Sequence, residues 1–139
     1  MTDNIIYQVE NDLTAQEYRD LLIKSTLGLR RPVQDMDKIE KMCRNVNLII
    51  TARIGNQLVG AARTLTDFVY STYLCDLAVD EAYQHKGIGK RLIIETKLQT
   101  PLPALVLLAA PAAVNYYPKI GMKNFEHCFL LKDVADLDI

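Results

Sequence analysis

The sequence lacks the features that would point to a secreted, metal-binding or membrane-spanning protein. Its 3 cysteines form no CxxC pair, so neither a disulfide framework nor a zinc site is expected, and no metal is predicted. No apolar stretch approaches the roughly 20 residues that span a bilayer. The N-terminal residues also lack the basic and apolar regions of a secretion signal. These absences predict a cytoplasmic protein with no membrane partner.

The chain also lacks an excess of charge of either sign. It has 16 basic and 17 acidic residues and a formal net charge of -1 at pH 7, so nucleic-acid binding through bulk charge is not expected. What it does have is apolar content. Hydrophobic residues make up 50% of the chain, which excludes an intrinsically disordered protein. A length of 139 residues suits one core, so a single domain over residues 1–139 is predicted.

Hydrophobic periodicity and turn residues predict an α/β fold. Strands are predicted at residues 5–9, 46–54, 57–65, 71–79, 104–109 and 125–131. Helices are predicted from Thr14 to about Gly28, from Asp35 or Asp37 through Cys43, and at residues 87–99 and 112–119. Residues 104–109 are continuously apolar, which is typical of a strand buried on both faces. The order βααβββαβαβ predicts a mixed sheet with helices on both sides.

The segment from Asp76 to Leu92 reads as a strand, a turn, a Gly-x-Gly corner and the start of a helix. Gly87 and Gly89 form the corner. This order places successive unpaired backbone N–H groups at a helix N-terminus, where a phosphate is favoured. A Gly-x-Gly alone is also compatible with a helix start that needs small residues for close packing. The segment therefore indicates a nucleotide-type cofactor, with close packing as the alternative.

Two motifs and a pair of strands resemble the GNAT family of N-acetyltransferases. Residues 84–89, Gln-His-Lys-Gly-Ile-Gly, follow a strand that ends at Val79 and are similar to the family's motif A. Residues 113–122, Ala-Val-Asn-Tyr-Tyr-Pro-Lys-Ile-Gly-Met, are similar to motif B, and residues 56–63 to the second and third strands. The resemblance covers about residues 5–132. It implies the acyl-CoA N-acyltransferase fold, a splayed central mixed β-sheet flanked by about four helices.

The resemblance implies acetyl-CoA as co-substrate. The backbone of the Gly-x-Gly loop would hold the pyrophosphate, and the end of the preceding strand would pair with the pantetheine arm, with a backbone N–H near Ala78 serving the oxyanion. The implied cofactor-binding residues are Leu77, Ala78, Val79, Gln84, His85, Lys86, Gly87, Ile88, Gly89 and Lys90. A Cβ at either glycine would hold phosphate oxygens away from the amides. Lys86 and Lys90 would add positive charge, or are solvated surface lysines.

Two catalytic residues are implied, Tyr117 and Asp76. Aligned on Gly121, Tyr117 is the motif B tyrosine that often serves as general acid, with a core aromatic as the alternative. Some family members have a Glu-Asp pair where this chain has Cys75 and Asp76. A carboxylate in an apolar strand needs a purpose or a partner, so Asp76 is a base, the anchor of a water relay, or an ion-pair partner of Arg63. Cys75 has no evident histidine base and is not expected to be a nucleophile.

The implied function is an acetyl-CoA-dependent N-acetyltransferase that acetylates a primary amine of a small molecule by direct attack in a ternary complex. The missing glutamate leaves a non-catalytic coenzyme A sensor or interaction module as the alternative. Candidate acceptor-binding residues are Tyr7, Arg30, Arg31, Phe68, Tyr70, Tyr73 and Phe129. The Arg30-Arg31 pair is equally compatible with a solvated loop. The short tail after Leu131 leaves the C-terminal sheet edge either abbreviated or completed by a partner subunit in a homodimer.

Overall fold

The computed structural model describes residues 4–138, which form two compact units, residues 4–108 and residues 109–138. The first unit contains a five-stranded sheet in the order β1-β2-β3-β4-β5. The strands are β1 (Ile5–Val9), β2 (Leu48–Ile54), β3 (Gln57–Thr66), β4 (Ser71–Val79) and β5 (Ala104–Leu107). β1 to β4 pair antiparallel, and β5 runs parallel to β4, which confirms the predicted mixed sheet. The single domain stays a prediction.

Within residues 4–138 four α-helices accompany the strands, as predicted. They are α1 (Ala15–Lys24), α2 (Met36–Arg44) and α3 (Ile88–Gln99) in the first unit and α4 (Tyr116–Lys119) in the second. The caps of α1 and α2 are those expected from the sequence. The Thr14 hydroxyl accepts a hydrogen bond from the Glu17 amide, and the Asp35 carboxylate accepts from the amides of Asp37 and Lys38. Short polar side chains therefore set where both helices begin.

The sheet separates two apolar clusters. α1 and α2 cover one face, where Tyr18, Leu22 and Ile39 are fully buried against β2, β3 and β4. α3 covers the other face through Ile88 and Leu92. It lies so close to β3 that a Cβ on Gly60 would come within 3.0 Å of the Leu92 side chain. Leu92 and Thr96 of α3 are fully buried, whereas Leu98 near its end is 65% exposed.

A β-bulge in β4 changes which face its side chains occupy. Arg63 of β3 pairs with Asp76, whereas the next residue, Thr64, pairs with Leu74, so Cys75 is an extra residue in β4. In a regular strand Leu74 and Ala78, four positions apart, would point to the same face because strand side chains alternate. Instead Leu74 packs in the α3 cluster and Ala78 packs in the α1–α2 cluster. The bulge therefore turns Asp76 toward α1.

Two strand predictions are wrong. β5 is not buried on both faces, because Val106 is 49% exposed while only Leu105 and Leu107 pack toward the α3 cluster. β5 is the edge strand of the described sheet, and α1 packs on β3 and β4 instead. Residues 125–131 form no strand. A strand needs a partner for its backbone groups, and the described part of the second unit contains no other strand.

A buried hydroxyl in β3 allows a test of the fold. Among the described residues, Thr64 is fully buried and its hydroxyl has no hydrogen-bond partner. We expect Thr64→Val to raise the free energy of unfolding by about 1 kcal/mol, because an unpaired buried hydroxyl is costly. Thr66 is the matched control, since its hydroxyl bonds Ser71, Thr72 and Phe68. Urea denaturation should show Thr66→Val destabilised, and a loss of stability in Thr64→Val would contradict the assignment.

Candidate functional site

The N-terminus of α3 is the only uncapped start among the three long helices of the described chain. Its N-cap is Gly87, at φ +83, and no side chain caps the first turn. The first intrahelical hydrogen bond runs from the Arg91 amide to the Gly87 carbonyl at 3.0 Å, so the amides of Ile88, Gly89 and Lys90 precede the helical ladder. The first turn has no acidic residue, whereas α1 and α2 each have one. This helix end therefore favours an anion.

The loop before α3 is held in a shape that keeps its amides together. Gln84 donates from its side chain to the Val79 carbonyl at 2.9 Å, which fastens the loop to the end of β4. His85 and Gly87 both have positive φ, +64 and +83. A Cβ on Gly87 would meet nothing within 4 Å, so space is open in front of the loop. Lys86 lies over the Tyr83 ring with its ammonium 5.4 Å from the centroid.

The edge of β4 that faces β5 is only half paired. The parallel ladder runs from Ser71 to Leu74 on β4 and from Ala104 to Leu107 on β5, and it ends there. Residues 75–79 have no strand partner on that edge among the described strands. The opening begins at the bulged Cys75, so Leu77, Ala78 and Val79 lie entirely within it. An extended amide-containing chain can pair with such an edge.

The free edge and the uncapped helix are joined by residues 80–87, so one ligand with an extended amide arm and a pyrophosphate can contact both. Coenzyme A has this chemistry, and its binding by Leu77–Val79 and Gln84–Lys90 stays a prediction. Within residues 4–138 no three His, Cys, Asp or Glu side chains come together to hold a metal ion. No helix in the same range is long and apolar enough to cross a membrane.

Comparison with known proteins gives the family. The model of the acetyltransferase (GNAT) domain matches residues 9–132. The chain belongs to the GNAT family. The matched region is an acetyltransferase domain, and GNAT-fold acetyltransferases use acetyl-CoA. The chain spans less than a third of the length of the first curated relatives it matches.

Individual GNAT relatives agree with this assignment. A histone acetyltransferase of Glycine max is 34% identical over 70 residues, which are 48% of this chain and 30% of the soybean protein. A GNAT family acetyltransferase from Streptococcus pneumoniae superposes with a TM-score of 0.74 at 20% identity, covering 94% of this chain and 98% of that one. An aminoglycoside N-acetyltransferase in complex with CoA superposes with a TM-score of 0.70 at 13% identity, covering 96% and 97%. The two structures show a shared fold.

Asp76 of this GNAT chain lies in a buried cluster of charged and polar side chains. One carboxylate oxygen accepts hydrogen bonds from the Tyr18 hydroxyl at 2.5 Å and the Arg63 Nε at 2.6 Å, and the other accepts from the Arg31 Nε at 2.7 Å. The Asp76 side chain is fully buried. Burial alone would raise the pKa of Asp76, but the hydrogen bonds and charges of these partners outweigh it and hold the pKa below 3.8. The ion pair with Arg63 that the sequence left open is therefore present.

Two members of this cluster were not identified from the sequence as Asp76 partners. The Tyr18 hydroxyl stays protonated because burial and the Asp76 charge raise its pKa well above 10.0. Arg31 was equally compatible with a solvated loop, but its side chain is only 24% exposed. The sequence indicated such partners only through the Asp76 carboxylate itself, because a buried charge requires partners. Burial also raises the pKa of the Cys75 thiol, which agrees with its expected lack of nucleophilic function.

Tyr117 lies in the second unit, at the second position of α4. Its ring packs edge-on against Tyr116, with centroids 5.2 Å apart. The Tyr117 carbonyl accepts from the amides of Ile120 and Met122, and Gly121 ends the turn at φ +102. Burial raises the pKa of the Tyr117 hydroxyl, so it is protonated at neutral pH. That protonation state suits an acid and not a base.

The candidate acceptor residues lie in several places. Phe68 and Tyr70 are in the exposed β3–β4 turn, and Phe129 is 90% exposed in the second unit. The Tyr7 ring on β1 faces the Arg91 guanidinium at 5.7 Å. Tyr73 of β4 is half-buried, and its pKa is raised by burial and by the charges of Cys75 and Asp76. Tyr73 and Arg31 are thus the two candidates near Asp76.

Proposed function

We propose that this GNAT chain transfers the acetyl group of acetyl-CoA to a primary amine of a small-molecule acceptor by direct attack in a ternary complex. The observation that carries the proposal is the uncapped start of α3 beside the unpaired half of β4. Acetyl-CoA supplies a thioester whose carbonyl carbon forms the C–N bond with the amine while the C–S bond breaks. The chain's residues must hold this group, provide a donor to the oxyanion and manage two protons.

The backbone has the binding role in this proposal. The amides of Ile88, Gly89 and Lys90 would donate to the pyrophosphate oxygens, with the α3 dipole adding to the attraction. Leu77 to Val79 would pair with the pantetheine arm. The Ala78 N–H points toward β3, because the Asp80 N–H two residues further on donates to the Val59 carbonyl, so the oxyanion donor would be the N–H of Leu77 or Val79 on the free edge. The side chain of Gln84 has a positioning role, because it donates to the Val79 carbonyl and so links the two halves of the site.

For Asp76 we propose the role of anchor and not that of base. Both of its oxygens already accept hydrogen bonds from cationic or hydroxyl donors, and its pKa lies below 3.8. Such a carboxylate has little tendency to take a proton from an ammonium with a pKa near 10.4. Its interaction with Arg31 and Arg63 instead fixes the bulge beside the acetyl group. The amine would lose its proton to water.

Tyr117 is proposed as the acid that donates a proton to the departing thiolate. We expect Tyr117→Phe to lower kcat about a hundredfold with an unchanged Kd for coenzyme A, since general acids contribute roughly this much. Steady-state kinetics and calorimetric titration would measure the two effects. Tyr116→Phe is the matched control, because it removes the neighbouring hydroxyl from the same ring pair and should keep wild-type kcat. Equal kcat in all three proteins would remove Tyr117 from the mechanism.

The proposed function is tested by incubating the protein with acetyl-CoA and a panel of primary amines while free thiol is measured. Thiol release that depends on an amine supports acetyl transfer. Tight coenzyme A binding without release for any amine would favour the alternative, a sensor or interaction module. The relatives include proteins named for histone and for aminoglycoside acceptors, so the panel needs a lysine peptide as well as small amines. The homodimer and the cytoplasmic location remain predictions.

A further inference from the structure

We propose that the acceptor amine carries a carboxylate and an apolar portion, and that Arg31 binds the carboxylate. The inference rests on the proposed function and names the substrate class of the same site. Its basis is the surplus charge of the Asp76 cluster and a cleft that Arg31 lines. Both lie within residues 4–108.

The cluster around Asp76 contains two positive charges and one negative charge. Arg31 and Arg63 both pair with the single carboxylate of Asp76, at 2.7 and 2.6 Å. Among the described residues, no other acidic side chain lies within 4 Å of either guanidinium. Two partly buried cations that share one anion attract a second anion, because the low local dielectric strengthens the interaction.

Arg31 is the cation that remains accessible. Its side chain is 24% exposed, against 13% for Arg63. A guanidinium has five N–H donors. In the described structure three N–H groups of Arg31 donate hydrogen bonds, to the Asp76 carboxylate, to the Arg30 carbonyl at 2.8 Å and to the Cys75 carbonyl at 3.3 Å. Two N–H groups are left for a ligand, enough for a carboxylate.

Arg31 also lines a cleft of about 330 Å³ between the end of α1 and the loop that precedes α2. The other lining residues are Ile23, Gly28, Leu29, Val33 and Gln34. Three of these five side chains are aliphatic, so the cleft offers an apolar wall beside a cation. A small molecule with one carboxylate and a hydrocarbon part matches both.

The position of Arg31 connects the cleft with the reaction site. Its Nη2 donates to the carbonyl of Cys75, the bulged residue where the free edge of β4 begins. A carboxylate on Arg31 would therefore hold the acceptor beside the proposed arm-binding segment, Leu77 to Val79. Amino acids meet these requirements, because the carboxylate and the amine belong to one small molecule.

The test compares amines that differ only in the carboxylate: L-leucine with 3-methylbutylamine, L-phenylalanine with 2-phenylethylamine, and L-lysine with cadaverine. For each pair the ratio of kcat/KM, acid over decarboxylated amine, is measured in the wild type and in Arg31→Gln. We expect at least one pair to be turned over with a ratio above one, and we expect that ratio to fall at least tenfold in Arg31→Gln. Arg31→Lys should restore part of it. Because amine basicity is the same in both proteins, the change in ratio reports Arg31 alone.

Lys24→Gln is the matched control, since it removes an exposed cation from the end of α1 and should leave the ratio unchanged. If Arg31→Gln slows both members of each pair equally, Arg31 is only structural and the inference is wrong. It is also wrong if the decarboxylated amines are preferred throughout. No thiol release with any amine would overturn the proposed function itself. In that case calorimetric titration of the wild type and of Arg31→Gln with the three amino acids tests the carboxylate site separately. Equal or absent binding in the two proteins would overturn that site as well.

Discussion

Replacing Gly89 by glutamate is expected to abolish coenzyme A binding and to leave the fold at least as stable as before. Gly89 lies in the first turn of α3, among the amides that precede the helical ladder. A carboxylate there would stand about 4 Å from a bound pyrophosphate, and two like charges at that distance repel by about 4 kcal/mol at an effective dielectric constant of 20. That corresponds to roughly a thousandfold loss of affinity.

Stability should move in the opposite direction. Glutamate is a better helix former than glycine, and a negative charge in the first turn interacts favourably with the helix dipole. Thermal unfolding and calorimetric titration of the same samples therefore separate lost binding from lost folding. Gln99→Glu is the control, because it adds the same charge to the same helix about 15 Å further along. Wild-type affinity in Gly89→Glu would show that the pyrophosphate binds elsewhere.

Asp76→Asn is expected to lower the free energy of unfolding by about 3–5 kcal/mol, the usual effect of removing one partner from a buried ion pair. The amide has nearly the shape of the carboxylate, so packing is kept. Arg63 and Arg31 would lose the anion that compensates them, and the amide nitrogen could not accept a hydrogen bond. Urea denaturation at pH 7 measures the loss. Glu40→Gln is the control, since the exposed Glu40–Arg44 pair should contribute less than about 1 kcal/mol.

The effect of Asp76→Asn should depend on pH in a definite direction. The pKa of Asp76 in the folded protein is lower than 3.8, so folding favours its charged form. This contribution is fully present above the pKa of the unfolded chain, near 3.9, and is lost as pH falls through the lower folded value. The stability difference between wild type and variant should therefore be constant from pH 7 to about pH 5 and shrink below pH 4. A difference that grew toward low pH would contradict the assignment.

Local chemistry explains which parts of the fold were predictable. Thr14 caps α1 as predicted, and Asp35, one of the two candidates for the start of α2, caps that helix, because a cap depends on residues two or three positions away. β1 to β4 follow from alternation and a Gly-Asn turn. The loop before α3 was predictable because its glycines have a local geometric purpose, and Gly87 does have a positive φ. Each of these features is encoded within a few residues of the place where it acts.

Features that depend on distant parts of the chain were not predictable. The apolar run at β5 suits a strand buried on both faces, but its burial depends on which elements the topology places over it. Residues 125–131 have strand-like residues and no partner strand in their unit. Arg31 and Tyr18 approach Asp76 across 45 and 58 residues of sequence, so no spacing pattern indicates them. Only the free-energy cost of burying the Asp76 carboxylate indicated that such partners exist.

The extra residue in β4 has a consequence for how this chain tolerates insertions and deletions. Because Cys75 is the unpaired extra residue, its deletion would leave a regular ladder in which Leu74 still faces the α3 cluster and Asp76 still faces α1. Deletion of Leu77 would instead turn Ala78 and Val79 to the opposite faces, because side chains alternate along the strand beyond the bulge. A three-base deletion at the Cys75 codon would thus keep the facing of every other β4 side chain, so a change of strand length is tolerated better at the bulge than elsewhere in β4.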